Sequence, residues 1–153
     1  MKRLEVEQRE NWRERLDELG FSFHSMEGLY WNEGICYEFS NDEIDLLEEA
    51  TANLNSLCLE AVDYIIGQNL FSRIGIPESF GGLIRKSWVP HDRSLYGRFD
   101  LSYENHGTPK LLEYNADTPT SLFESSIAQW VWLEDLFPTY DQFNSIQEKL
   151  QDT

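Results

Sequence analysis

The spacing of hydrophobic and polar positions predicts a chain rich in helix. Apolar residues three and four apart predict an amphipathic helix or arm over residues 5–19. Residues 21–39 are aromatic and interrupted by glycine, which indicates irregular structure or short strands. A long helix is predicted over 41–70, because Ser40 and Glu43 have the spacing of a capping box and one face is apolar. The opposite, acidic face is expected to be solvated.

Shorter and more apolar helices are predicted further along the chain. A short helix is expected around residues 77–86, although Gly81-Gly82 weakens its helical propensity. The last apolar helix should start near Thr118, with Pro119 at its first position, and should end at Pro138. Its body is apolar on most sides, which indicates burial against a large surface. A polar, helix-like stretch follows it.

Residues 96–116 have the pattern of a β-hairpin. Apolar and polar residues alternate with a period of two over residues 98–104, and a return strand starts at Pro109 and Lys110 after a turn signal. His106-Gly107 is an acceptable two-residue turn, because glycine takes positive φ freely. Residues whose numbers sum to 213 should then face each other across the hairpin.

This register brings four polar side chains to one face of the hairpin: Arg98, Asp100, Glu113 and Asn115. Asp100 would lie opposite Glu113, with Cβ atoms about 4.5–5.5 Å apart. Two like charges at that separation destabilise the pair unless positive charge lies between them. A hard divalent cation such as Mg²⁺ would supply that charge, and Arg98 is a second source. A solvated face with an ordinary salt bridge fits the same pattern, and both interpretations stay open.

Hydroxyl side chains follow the hairpin at the predicted helix start: Thr118, Thr120 and Ser121. Unpaired backbone N–H groups and the helix dipole favour an anion at such a position, and a plain helix cap is the alternative. A metal site beside an anion site would suit phosphoryl transfer, in which Arg98 would neutralise developing charge. The spacing of the histidines indicates no Ser/His/Asp nucleophile.

Composition narrows the classes of partner. The 153 residues carry 12 Lys and Arg against 28 Asp and Glu, a net charge of −16, which disfavours binding to nucleic acid or to an anionic membrane surface. Cys36 and Cys58 lack zinc-site spacing and are expected to be free thiols in a reducing compartment. The first residues lack the apolar region of a secretory signal, and no apolar run spans a bilayer. We therefore expect a cytoplasmic protein with one core over residues 1–153.

Two segments resemble the glutathionylspermidine synthetase family: GRFD, from Gly97 to Asp100, and LLEYNADTPTSLFE, from Leu111 to Glu124. Their R-x-D…E-x-N pattern is similar to the metal-binding end of ATP-grasp ligases. The similarity is closest to the shorter acid–amine ligase branch without an amidase domain, and it covers most of the chain. It implies an α/β fold, closer to α+β, with long helices packed on a small, mainly antiparallel sheet. It also implies that the chain is the N-terminal portion of a permuted ATP-grasp ligase.

The resemblance further implies an activity and a set of site residues. The family's ligases use ATP to convert an acid into an acyl phosphate, which an amine then attacks to form an amide. By resemblance, Asp100, Glu113 and Asn115 would bind Mg²⁺, and Arg98 would contact the transferring phosphate.

The same resemblance assigns the hydroxyl residues to the acid substrate. Thr118 and Thr120 match positions that hold the acid, whereas Ser121 stands where the glutathionylspermidine enzymes carry a cysteine. This departure leaves glutathione and spermidine unassigned as substrates. The family's nucleotide-clamping lysines follow in chain order, so we expect an incomplete ATP site and a partner, either a C-terminal half or a second copy. The alternative is a non-catalytic module that binds a metal or an anion, or that pairs through the helix carrying Trp130 and Trp132.

Overall fold

The computed structural model describes four stretches of the chain: residues 1–26, 28–89, 94–104 and 107–152. The chain divides into two compact units: unit 1 is Met1–Ile44 with Pro119–Thr153, and unit 2 is Asp45–Thr118. Helices and two small antiparallel sheets together make the described chain α+β. This confirms the mixed class and the antiparallel pairing that the sequence predicts.

Nine regular elements follow one another along the described chain. They are β1 (Lys2–Glu5), α1 (Trp12–Glu18), β2 (Ile35–Glu38), α2 (Asn41–Gly67), α3 (Gly81–Trp88), β3 (Arg98–Ser102), β4 (Lys110–Asn115), α4 (Gln129–Leu136) and α5 (Ile146–Gln151). Shorter helical turns are also present: 3-10 turns at Phe71–Ile74 and Glu78–Phe80, and a π-helical turn at Glu124–Ala128. Strand β1 pairs with β2, and β3 pairs with β4.

An aromatic core holds unit 1 together. Trp12 and Leu16 project from α1 into this core, where they meet Phe21 and Ala128. Gly20 has φ +90°, a left-handed conformation that glycine adopts without strain, and it turns the chain after α1. The reversal lets the Phe21 N–H donate to the Leu16 carbonyl at 2.8 Å. The predicted amphipathic helix is therefore confirmed, but it begins at Trp12, and Glu5 at its expected start belongs to β1.

A buried carboxylate beneath this core is a feature that the sequence pattern does not reveal. Glu33 is fully buried and accepts hydrogen bonds from Arg9 Nε at 2.6 Å and Trp31 Nε1 at 2.8 Å. Arg9 Nη1 also donates to Asp135, and Trp132 Nε1 donates to the Glu33 carbonyl. Burial alone would lower the pKa of Arg9, but its hydrogen bonds to Glu33 and Asp135 raise that pKa. The guanidinium thus compensates the buried carboxylate.

The predicted capping box of α2 is present. The Ser40 N–H donates to Glu43 Oε2 at 2.9 Å, and the Glu43 N–H donates to Ser40 Oγ at 3.4 Å. The Met1 amino group also contacts Glu43. These interactions, the amino group first, lower the pKa of Glu43 to about 2. The long helix is confirmed as far as Gly67, although Ile66 is the one residue of α2 that the structure describes as buried.

A close contact explains a glycine in α3 of unit 2. A Cβ atom on Gly81 would lie 2.8 Å from the ring of Phe71, which is buried. The expected short helix is present as a 3-10 turn followed by α3, and Gly81 is a packing requirement at its start. Trp88 Nε1 donates to Asp63 on α2, so one member of the expected solvated acidic face has an aromatic partner.

Cys36 and Cys58 are free thiols, as predicted. Across the described stretches, every helix is either too short or too polar to span a bilayer.

Candidate active site

The predicted register is confirmed where the polar side chains lie. Strands β3 and β4 of unit 2 pair Asp100 with Glu113 and Arg98 with Asn115. Paired residues on one face of an antiparallel ladder are direct neighbours, so the two carboxylates lie side by side. The predicted turn residue His106 lies outside the described residues.

Beyond this pair the predicted register is wrong by one residue. Leu101 pairs with Leu111 and Ser102 pairs with Lys110, so Leu112 is an extra residue in β4. Such a bulge bends the strand and increases its twist. Leu111 and Leu112 interrupt the alternation of apolar and polar residues at this point, a signal that the prediction of a regular ladder did not use. The bulge lies directly beside Glu113.

Arg98 supplies the positive charge that the carboxylates require. Its Nε donates to Asp100 Oδ1 at 2.8 Å and its Nη2 donates to Asp100 Oδ2 at 3.3 Å, a bidentate pair. The hydrogen bond to Asp100 and then the charges of Asp100 and Glu113 raise the pKa of Arg98. Both charged side chains of the pair are partly exposed, so the ion pair stays accessible to ligands from solvent. The sequence offered two sources of positive charge, a divalent cation and Arg98, and in the structure the Arg98 guanidinium pairs with Asp100.

Asn115 shapes the turn that follows β4. Its Oδ1 accepts hydrogen bonds from the backbone N–H groups of Asp117, at 3.2 Å, and Thr118, at 3.1 Å. Its Nδ2 also lies 3.4 Å from the Thr118 carbonyl oxygen. Asparagine commonly closes a turn of this kind with its own side chain. The amide oxygen that the resemblance assigns to a metal therefore holds the backbone around Thr118.

The predicted start of the last helix is wrong. Helical structure begins at residue 122, because Ser121 has φ +73° and a left-handed residue cannot continue a right-handed helix. The Ser121 carbonyl accepts hydrogen bonds from the N–H and Oγ of Ser125, at 3.1 and 2.8 Å, and a π-helical turn follows. Thr118 belongs to unit 2, whereas Thr120 and Ser121 belong to unit 1.

An aromatic pair braces the hairpin beside the charged residues. Phe99 and Tyr114 are cross-strand neighbours whose rings stack with centroids 4.0 Å apart. A Cβ atom on Gly97 would lie 2.9 Å from the Tyr114 ring, so a residue with a side chain would displace that ring. The glycine directly before R-x-D was a sequence signal for this close approach, which the pattern analysis missed.

The donor set at the hairpin fits Mg²⁺ by its chemistry. Asp100, Glu113 and Asn115 offer carboxylate and amide oxygens, and Mg²⁺ is commonly held by one or two carboxylates together with substrate phosphates. Arg98 already acts as a stand-in cation for this acidic pair. In the part of the chain that the structure describes, no three His, Cys, Asp or Glu side chains cluster closely enough to hold a metal by themselves. Phosphate oxygens would therefore have to complete the coordination.

An Asp–His–Ser cluster, which the sequence did not indicate, lies in unit 1. His24 Nδ1 is 2.7 Å from Ser25 Oγ, and His24 Nε2 is 3.3 Å from Asp17 Oδ1. His24 is buried and packs edge-on against Trp12, with ring centroids 5.3 Å apart. These contacts make His24 a satisfied core residue.

An open groove of 680 Å³ also lies in unit 1, between α4 and α5. Trp130, Val131 and Phe143 line it together with polar side chains. Its described lining includes none of the residues that the sequence predicts for the site.

Comparison with known proteins identifies the chain. Its structural class is an α+β fold with a β-hairpin, in which an arginine balances the charge of neighbouring acidic residues. Residues 3–153 match the family model described as glutathionylspermidine synthase preATP-grasp, and the chain belongs to this family. The family predicted from the R-x-D…E-x-N pattern is confirmed.

Two relatives match this chain over only part of their own length. A Haemophilus influenzae protein that bears the name acid–amine ligase is 38% identical over 143 residues, which cover 90% of this chain and 36% of that protein. Trypanothione synthetase from Crithidia fasciculata is 34% identical over 85 residues, which cover 54% of this chain and 13% of that protein. The match to this chain therefore spans little more than a third of the first relative and a smaller share of the second.

Proposed function

We propose that residues 1–153 form the N-terminal portion of an ATP- and Mg²⁺-dependent acid–amine ligase, which joins carbon to nitrogen. Family membership supports the class of reaction. The observation that carries the proposal is the register that sets Asp100 beside Glu113. In the proposed reaction, a carboxylate oxygen of the acid attacks the γ-phosphorus of ATP and ADP leaves. The amine nitrogen then attacks the acyl carbon, loses a proton, and phosphate leaves.

The hairpin residues have separate roles in this proposal. Asp100, Glu113 and Asn115 hold Mg²⁺, which when bound neutralises charge on the phosphate oxygens. Arg98 contacts the transferring phosphoryl group. Because neighbouring carboxylates raise the pKa of Arg98, its guanidinium is charged throughout the accessible pH range. A planar guanidinium with several N–H donors suits the oxygens of a phosphate.

Thr118, Thr120 and Ser121 are the proposed contacts to the acid substrate. The support for this assignment is the resemblance of TPTS to the acid-binding segment of the family. Ser121 offers a hydroxyl in place of a thiol, so we expect an acid that differs from glutathione. The acid and the amine are both small molecules in this proposal.

The remaining part of the ATP site would come from a further polypeptide segment, either a C-terminal half or a second copy of the chain. The first relative is nearly three times as long as the region it shares with this chain, which supports that expectation. A reaction that consumes ATP also supports a cytoplasmic location. The 153-residue chain alone is then expected to bind Mg²⁺ weakly and to show no amide-forming turnover.

Thermal unfolding with Mg²⁺, with ATP and with both together tests the proposal. At Mg²⁺ tenfold above its Kd, binding stabilises a folded chain by about 1.4 kcal/mol, which corresponds to roughly 3–6 °C in Tm for a chain of this size. Glu113→Gln should abolish this shift, and Glu104→Gln, an exposed change of the same kind near the end of β3, should keep it. A full Mg²⁺ shift in Glu113→Gln would contradict the metal assignment. Amide-forming turnover by the 153-residue chain would contradict the incomplete ATP site.

The second candidate is a non-catalytic module derived from such a ligase. A Mg²⁺-dependent Tm shift that requires Glu113 but is unchanged by ATP would favour this metal-binding alternative. The version of this idea that pairs through Trp132 is not favoured, because the Trp132 side chain is buried inside unit 1. Trp130 is the more exposed of the two indoles and is the one to replace when a pairing surface is tested by the oligomeric state.

A further inference from the structure

Two of the three proposed metal ligands are already engaged by other groups of unit 2. Arg98 holds Asp100 through hydrogen bonds of 2.8 and 3.3 Å. Backbone N–H groups of Asp117 and Thr118 donate to Asn115 Oδ1 at 3.2 and 3.1 Å. Each of these hydrogen-bond donors carries a full or a partial positive charge. Unit 2 therefore satisfies the acceptor atoms of Asp100 and Asn115 in the structure.

A cation that binds these oxygens competes with that arrangement. A divalent ion coordinated by Asp100 repels the guanidinium that is hydrogen bonded to the same carboxylate. The amide oxygen of Asn115 has two lone pairs and already accepts hydrogen bonds from two backbone N–H groups. Coordination by Asp100 and Asn115 therefore weakens the hold on Arg98 and loosens the Asp117–Thr118 turn.

The displaced groups are all hydrogen-bond donors and all lie around Asn115. Arg98 is the cross-strand partner of Asn115, and the turn is held by the same Asn115 side chain. A guanidinium and two successive backbone N–H groups are donors that bind tetrahedral anions. Once released from the metal ligands, Arg98 and the two N–H groups are therefore suited to bind the anion that the proposed reaction requires.

We propose that metal binding to the hairpin releases Arg98 and the Asp117–Thr118 N–H groups, which then bind a phosphate-like anion. The inference rests on the proposed function, because it takes the same metal site and describes how that site is regulated. The anion stabilises the released arrangement, so the metal and the anion bind cooperatively. Linkage requires each ligand to raise the affinity of the other by the same factor.

Binding of Mn²⁺ to the 153-residue chain tests this coupling. Free Mn²⁺ is measured by electron paramagnetic resonance at constant ionic strength, with and without sulfate, a tetrahedral dianion. We expect sulfate to tighten Mn²⁺ binding about fivefold or more, as in typical couplings between sites. Without sulfate, Arg98→Gln should bind Mn²⁺ about two- to fivefold more tightly than the wild type, because no exposed ion pair has to be broken. The same variant should lose the sulfate effect.

A matched control separates this effect from overall charge. Lys110→Gln removes one positive charge from the same hairpin, at the opposite end of the ladder from Arg98. Its Mn²⁺ affinity and its sulfate effect should match those of the wild type. Amide hydrogen exchange followed by NMR supplies a second readout, in which Mg²⁺ alone should speed exchange at Asp117 and Thr118, and added sulfate should slow it again.

The outcomes distinguish this inference from the function on which it rests. If Asp100→Asn and Glu113→Gln bind Mn²⁺ as tightly as the wild type, the metal site and the proposed function both fail. If these variants lose Mn²⁺ but sulfate has no effect, the metal site stands and the release of Arg98 is overturned. Weaker Mn²⁺ binding by Arg98→Gln would also overturn it, because Arg98 would then support the metal instead of competing with it.

Discussion

Replacing Arg9 with methionine should strongly destabilise unit 1. The Arg9 side chain is 10% exposed and its partner Glu33 is 0% exposed, so the substitution leaves a buried carboxylate without its cation. Removal of one partner from a buried ion pair costs about 3–5 kcal/mol. The second arm of Arg9 reaches Asp135, which is partly exposed, and it adds only about 0.2–1 kcal/mol. The pair with Glu33 therefore accounts for nearly all of the expected loss.

Urea unfolding followed by tryptophan fluorescence measures this loss. Four of the five tryptophans lie in unit 1, and Trp31 donates directly to Glu33, so the signal reports on the perturbed region. Arg15→Met is the matched control. Arg15 is half exposed and its ion-pair contact is long, so this substitution should change the free energy of unfolding by no more than about 0.5 kcal/mol.

A double substitution completes the test. Arg9→Met with Glu33→Leu removes both charges, and replacement of a whole buried pair by apolar residues is often neutral or stabilising. The Trp31 N–H then lacks its acceptor, which costs about 1–3 kcal/mol. We expect the double variant to be more stable than Arg9→Met alone. A loss below about 1 kcal/mol in Arg9→Met, or a double variant less stable than the single one, would refute the reasoning.

Three further predictions concern local structure. Gly81→Ala should destabilise the protein by about 1–3 kcal/mol, because its Cβ would meet the buried Phe71 ring. Gly82→Ala is the control, because a Cβ atom there meets open space, and it should stabilise α3 by about 0.5–1 kcal/mol. Equal shifts of the two variants in thermal melts would contradict the contact with Phe71. Ser40→Ala should cost about 1 kcal/mol through the lost cap, measured by urea unfolding. Because the folded-state pKa of Glu43 is about 2, below its ordinary 4.5, its contribution to stability is present above pH 4.5 and is lost as the pH falls toward 2. Glu43→Gln should flatten the dependence of stability on pH in that window, and an unchanged slope would count against the capping interaction.

Local chemistry in the sequence predicted the elements that depend on near neighbours. The capping box at Ser40 and Glu43 marks the start of α2, because its hydrogen bonds join residues three apart. The predicted turn position gave the pairing of Asp100 with Glu113, and the period of two gave the face that they share. The family was also evident from a short pattern within this hairpin.

The features that the sequence pattern missed depend on residues far apart or on single backbone angles. The left-handed Ser121 reflects one residue's backbone conformation, which periodicity does not report. Leu111 and Leu112 interrupt the alternation at the bulge, but the pattern does not specify which residue stays unpaired. Glu33 is buried because Arg9 and Trp31 meet it after the chain has folded, although a charged side chain usually indicates exposure.

The sequence by itself determined which chemical groups the hairpin carries and which of them face each other, because strand periodicity is a local property of the chain. Tertiary structure alone decided how those groups are engaged. Arg98 turns toward Asp100, and Asn115 turns toward the backbone of Thr118. These choices depend on side-chain directions and on the competition among donors for a few oxygens, which the order of residues does not specify.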